Sequence, residues 1–124
     1  MEFKVSNKEY QLKFGIKFIR ELDKIYKVDY QGMEFGMGVN LAFMALNQYN
    51  PSALSQVVHA AVSHMPSAPS LSTIDSAIED YAEEQDGLES LFEAVLSEMG
   101  KSKVTKSTLE KFKKMAQTDT EQPQ

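Results

Sequence analysis

The 124-residue chain contains no cysteine. That absence excludes a disulfide framework, a thiolate zinc site and a cysteine nucleophile together, and it points to an intracellular setting. Long apolar runs are missing as well. The longest, Val39 to Leu46, is interrupted by Asn40 and falls well short of the ~18 residues that crossing a bilayer requires. The start, Met1-Glu2-Phe3-Lys4-Val5, has neither the basic opening and apolar run of a secretory signal nor the arginine-rich pattern of a transit peptide. Neither export nor membrane insertion is expected.

Histidine is scarce, with only His59 and His64. Five positions apart on a helix they would point about 140° from each other, so they do not form a metal pair. The acids Glu79, Asp80, Glu83, Glu84 and Asp86 lack the alternate-position ligands and sixth-position glycine of a calcium loop, and read as a solvated helix face. No glycine-flanked serine elbow sets a nucleophile against a base, and Gly32, Gly36 and Gly38 lack the order and flanking strand of a phosphate loop. No catalytic, cofactor-binding or metal site is expected, and the chain reads as a non-enzyme.

What is present is a segmented charge map. The net charge of -5 argues against nucleic-acid binding, which relies on clustered cations. Met1 to Lys27 holds seven basic and four acidic residues, whereas Val28 to Leu71 holds only Asp29 and Glu34. Ser72 to Glu98 carries nine acids and no lysine or arginine, and Lys101 to Lys114 carries six lysines opposed by Glu110 alone. The acidic block, with Glu79, Glu83 and Glu84, could attract the lysine-rich block, with Lys106 and Lys113, in the same chain or a neighbouring copy. These five are the candidate self-association residues.

The 42% apolar content suffices for one core and one domain, expected over 1–117, with 118–124 as a disordered tail. Phe3, Val5, Tyr10 and Leu12 alternate with polar residues around Ser6-Asn7, which predicts a β-hairpin that must lie on helices to be stable. Ile16, Phe18, Ile19, Leu22, Ile25 and Tyr26 recur at helical spacing from Gly15 to Tyr26. Gln31-Gly32 and Gly36-Met37-Gly38 break the pattern, and a second helix is expected from about Val39 to Gln48. Asn50-Pro51 opens a third, with Leu54, Val57, Val58, Ala61 and Val62 as its buried stripe. Met65 to Ser70 reads as the longest loop.

A fourth helix is expected to start at a capping box, Ser72-Thr73-Ile74-Asp75, and to reach about Glu84. Leu88, Leu91, Phe92, Val95, Leu96 and Met99 form the stripe of a fifth, ended by Gly100 as a left-handed cap. A sixth should follow the box Ser107-Thr108-Leu109-Glu110 and bury Leu109, Phe112 and Met115. The fold class is therefore mainly α: an N-terminal β-hairpin packed on a small bundle of about five to six helices.

The nearly uncharged middle holds Tyr30, Met33, Phe35, Met37, Phe43, Met44 and Tyr49 among small residues. Methionine and aromatic side chains adapt to irregular apolar partners, which makes these the candidate partner-binding residues. The same residues could equally form the core of a small helical domain, and both roles can hold at once.

In order and spacing these features resemble the tail assembly chaperone family of siphophages that infect Gram-positive bacteria. Tyr10-Gln11-Leu12-Lys13-Phe14-Gly15-Ile16-Lys17-Phe18-Ile19-Arg20-Glu21-Leu22-Asp23 is similar to the family's hairpin-into-helix signature, and Phe35-Gly36-Met37-Gly38 resembles its glycine-bearing link. Leu88 to Leu96 followed by the lysines from Lys101 resembles its acidic-then-basic end. The resemblance implies a protein of the host bacterial cytoplasm that coats the tape-measure protein and leaves before the virion is complete; self-association into oligomers is expected from the charge blocks alone. The resemblance further implies a programmed frameshift, with a longer form recruiting tail tube protein and this chain as the short form. A small tail-completion or regulatory interaction protein without catalytic activity would share the composition.

Overall fold

The computed structural model describes residues 1–121, with the side chains of 28–30, 33–36 and 116–121 not described. Strands β1 (Glu2–Val5) and β2 (Lys8–Gln11) form an antiparallel hairpin pairing Phe3 with Tyr10 and Val5 with Lys8. Ser6 and Asn7 both take positive φ, 51° and 64°, the pair of left-handed conformations that a two-residue hairpin turn needs. One face buries Phe3 and Val5 and the exit strand adds Leu12 and Phe14, so the period-two pattern sets which side meets the helices.

Six helices follow: α1 (Ile16–Ile25), α2 (Gly38–Asn47), α3 (Pro51–Val62), α4 (Leu71–Gln85), α5 (Glu89–Lys101) and α6 (Lys106–Glu121). The fold is mainly α, as expected. A second hairpin that the sequence reading did not anticipate, β3 (Lys27–Tyr30) and β4 (Met33–Gly36), stands between α1 and α2. Its turn is Gln31-Gly32, with φ of 53° and 80°. The glycine read as a break is thus the second residue of a tight hairpin turn. Of the expected tail 118–124, residues 122–124 lie outside the described residues, and α6 extends to Glu121.

Helix α3 is the centre of the molecule. Ala53, Leu54, Val57, Val58, Ala60, Ala61 and Val62 are all buried, so the helix is apolar nearly all round and must be enclosed by neighbours. It packs on α1, α2 and α4, while α5 and α6 lie against α2 and the first hairpin lies against α4. Asn50 caps α3, its Oδ1 accepting from the Ala53 amide at 3.2 Å with Pro51 in the first turn, as expected. Beyond the other end, the amide of Lys13 donates to the Ala61 carbonyl at 2.9 Å, tying the hairpin exit to the central helix.

Several local expectations fail for tertiary reasons. The cap of α4 is Ser70, whose Oγ accepts from the Thr73 amide at 3.2 Å, and not Ser72. Asp75, assigned to the capping box, instead accepts from the Ser55 hydroxyl on α3. Gly100 lies inside α5 rather than in a left-handed cap, and the helix ends one residue later with Ser102 as its cap. Helix α6 begins at Lys106, ahead of the expected Ser107 box. The preceding Thr105 is fully buried, its hydroxyl donating to the Met99 carbonyl at 2.6 Å. Met115, expected inside, is 58% exposed, and the α1 stripe buries Phe18 and Leu22 but leaves Ile16 and Ile25 exposed. A helix period identifies an apolar face, whereas the width of the neighbour decides how much of that face is covered.

Candidate partner-binding surface

Of the candidate partner-binding residues, the side chains of Tyr30, Met33 and Phe35 lie outside the described residues. Their backbones form the second hairpin, Tyr30 opposite Met33 and Phe35 opposite Val28. Met37 is the N-cap residue of α2 and is half-buried, and its amide donates to the Tyr26 carbonyl at 3.0 Å.

Of the remaining three, Phe43 and Tyr49 meet side chains of α6 and α5, and Met44 stands on the exposed side of α2. Phe43 is half-buried against the core, and the Lys113 ammonium sits 5.0 Å from its ring centroid, a cation–π contact that joins α6 to α2. Met44, the next residue, is 44% exposed. Tyr49, at a positive φ of 56° after α2, stacks on Phe92 of α5 with centroids 4.8 Å apart and planes within 9°. Its hydroxyl donates to Glu93 Oε1 at 3.5 Å. Partial cover first, and then the Glu93 and Glu89 carboxylates, hold its ionisation above the usual 10.0. Phe43 thus has a lysine beside it and Tyr49 a glutamate.

Other described residues of the uncharged middle serve the core instead. Val39, Ala42, Leu46 and the whole stripe of α3 are buried, so among the described residues these do not remain for a partner. Glu79, Glu83 and Glu84 are exposed on α4, which packs on α3 and β1, and Lys106 and Lys113 are exposed on α6, which packs on α2 and α5. Among the described residues none of these three acids is seen paired with a lysine, whereas Lys17 and Lys24 pair with Glu21 at 3.3 and 2.7 Å. Among the exposed apolar residues that sequence reasoning missed are Ile16 and Val104, because helical spacing assigned the first to the core and a lysine-rich context hid the second.

Ser55 donates to Asp75, yet Ser55 is buried, and among the described residues neither histidine bonds to a serine or an acid. His64 Nδ1 lies 3.0 Å from the Ala61 carbonyl. Among the described residues no group of three or more histidine and acidic side chains could hold a metal ion. No helix is long and apolar enough to cross a membrane among these residues.

A family model described as phage tail assembly chaperone protein, TAC, matches residues 2–114. No curated protein and no solved structure matches the chain. The match runs from the first hairpin into α6, taking in the central helix and the apolar face beside it. The chain belongs to the phage tail assembly chaperone family.

Proposed function

We propose that this chaperone binds and solubilises the tape-measure protein and helps bring tail tube protein to it during tail assembly, without catalytic activity. The observation that carries the reading is the family match across residues 2–114. The exposed Met44 and Tyr49 support it, because methionine and aromatic side chains open to solvent suit the apolar stripe of a long helical client laid against them. A tape measure is a long chain whose apolar surface aggregates unless covered.

Each copy needs only modest affinity, because many copies on one client bind with high combined strength and can still be displaced singly. Copies line up through the acids Glu79, Glu83 and Glu84 and the lysines Lys106 and Lys113. Tube protein is recruited through a longer, frameshifted form. The work takes place in the host cytoplasm and the chaperone leaves before the virion is complete.

Co-expression with the tape-measure protein tests this directly. The soluble fraction of the tape measure should rise when the chaperone is present and should fall back with Met44→Glu. A tape measure no more soluble with the chaperone than alone would overturn the reading. Mass spectrometry of purified particles should find no copy of the chain; its retention would indicate a structural tail component.

A further inference from the structure

A second apolar surface lies where the first hairpin, α1 and the α5–α6 turn converge, and it shares no residue with the face around Met44. It is a groove of about 330 Å³ with Phe18 and Ala60 in its lining and Ile16 and Val104 as exposed apolar walls, 55% and 43% open. Lys13, Lys17 and His64 complete the lining together with Gly15, and no acid takes part. Lys17 is held 3.3 Å from Glu21, one turn along α1.

The groove is preformed. Val104 sits on a turn that is anchored at both ends: Ser102 Oγ donates to the Phe14 carbonyl at 2.7 Å and accepts from the Val104 amide at 3.3 Å, and the buried Thr105 hydroxyl bonds to Met99. The opposite wall is fixed by the bond from the Lys13 amide to Ala61. A valine held open to water on a tied-down turn, facing an exposed isoleucine, is an apolar surface whose exposure does not come from a loose loop.

Its electrostatics are one-sided. Lys13 and Lys17 line the groove, and the exposed Lys101 and Lys103 precede Val104 in the chain. Helix α1 starts at the groove with Gly15 as N-cap, with no side chain bonded to its first amides and no acid in its first turn. The positive end of the helix and the surrounding lysines therefore favour carboxylates at the rim of an apolar floor.

We propose that this groove docks an acidic amphipathic segment of a partner protein, with aliphatic side chains between Ile16, Phe18 and Val104 and carboxylates against Lys13 and the first turn of α1. This surface is separate from the tape-measure reading and stands or falls independently of it. Its recognition logic is that of a helix laid in a groove, with apolar anchors giving affinity and rim charges giving selectivity and orientation.

The full chain would be titrated with a short synthetic helical peptide carrying leucines at i, i+3 and i+4 spacing and glutamates between them. A twin peptide with lysines in place of the glutamates serves as the control, and amide NMR shifts locate the site. The glutamate peptide should bind, shifting residues 13–18 and 102–105, and the lysine twin should bind about tenfold more weakly or not at all. Lys13→Glu combined with Lys17→Glu, and separately Val104→Asp, should each weaken binding about tenfold with the fold retained, whereas Met44→Glu should leave it unchanged. Absence of binding by the glutamate peptide, equal binding of the lysine twin, or shifts confined to the Met44 face would each overturn the proposal. Tighter binding of a peptide of this chain's own residues 72–98 would overturn the foreign partner and make the groove a contact between copies.

Discussion

Asp23 on α1 accepts a hydrogen bond from the amide of Gly38, the first residue of α2, at 2.8 Å. One carboxylate thus serves a helix fifteen positions later in the chain, sitting at its positive end and satisfying one of its orphan amides. The bond is possible because the two backbones nearly touch. A Cβ added at Gly38 would lie 2.5 Å from the Leu22 carbonyl carbon and 2.6 Å from the Asp23 amide nitrogen. Leu22 and Gly38 are both buried, so α1 and α2 cannot part to make room without opening the core.

Gly38→Ala is therefore expected to destabilise the fold by about 1–3 kcal/mol or more, since the obstacle is backbone rather than a movable side chain. Asp23→Ala should cost less, about 1 kcal/mol, from the lost cap alone. Urea unfolding midpoints of the two variants check the ranking, which should hold at neutral pH.

The two serines at the start of α4 separate a true cap from an apparent one. Ser70→Ala should cost about 1 kcal/mol, because the Thr73 amide loses its acceptor. Ser72→Ala should stay within about 0.5 kcal/mol of the parent. Equal effects in thermal unfolding would mean that the cap lies elsewhere.

Acid and alkali should act on different residues. The Lys24 ammonium foremost, with Lys17 helping, holds the Glu21 carboxyl below its ordinary 4.5. A lowered carboxyl stabilises the fold above the unfolded value, and that contribution disappears as pH falls below 4.5. Both lysine partners are exposed, so Glu21→Gln should cost under about 1 kcal/mol at pH 7 and nothing once the carboxyl is protonated. Tyr26, raised above 10.0 by burial and donating to Gln56 Oε1 at 2.8 Å, behaves oppositely. Its stabilisation is complete below pH 10 and is lost above it. Tyr26→Phe should flatten the alkaline limb of a stability-against-pH curve.

Surface and core variants should separate function from folding. Met44→Glu is expected to change unfolding free energy by no more than about 0.5 kcal/mol while lowering tape-measure solubilisation. Leu54→Ala, at a fully buried position on α3, should cost about 2–5 kcal/mol, with activity falling only as far as the folded fraction does. Denaturation curves run beside the co-expression assay distinguish the two patterns.

Much of the architecture was legible from local pattern. The first hairpin, the Asn50-Pro51 opening of α3 and the stripes of α3 and α5 appear where periodicity and turn chemistry place them, because these depend on neighbours within a few residues. The second hairpin was missed although Val28, Tyr30, Met33 and Phe35 flank Gln31-Gly32, because two glycine-bearing breaks close together read equally well as linker. Of the candidate surface, Phe43, Met44 and Tyr49 were identified by residue type alone. Their pairing with Lys113 and Phe92 was not legible, since it joins residues brought together only by the packing of α2 on α5 and α6.

By itself the sequence determined the helical character, the segmented charges, the lack of thiol chemistry and the likeness to tail assembly chaperones, all properties of composition and short-range order. Tertiary structure alone decided which apolar residues stay in water. Ile16 and Met115 belong to regular helical stripes yet lie exposed, because burial requires a neighbour wide enough to cover the stripe. It also decided the meaning of Gly38. In sequence that glycine is a break between helices, and in the fold it is the point where only a hydrogen atom fits between α1 and α2.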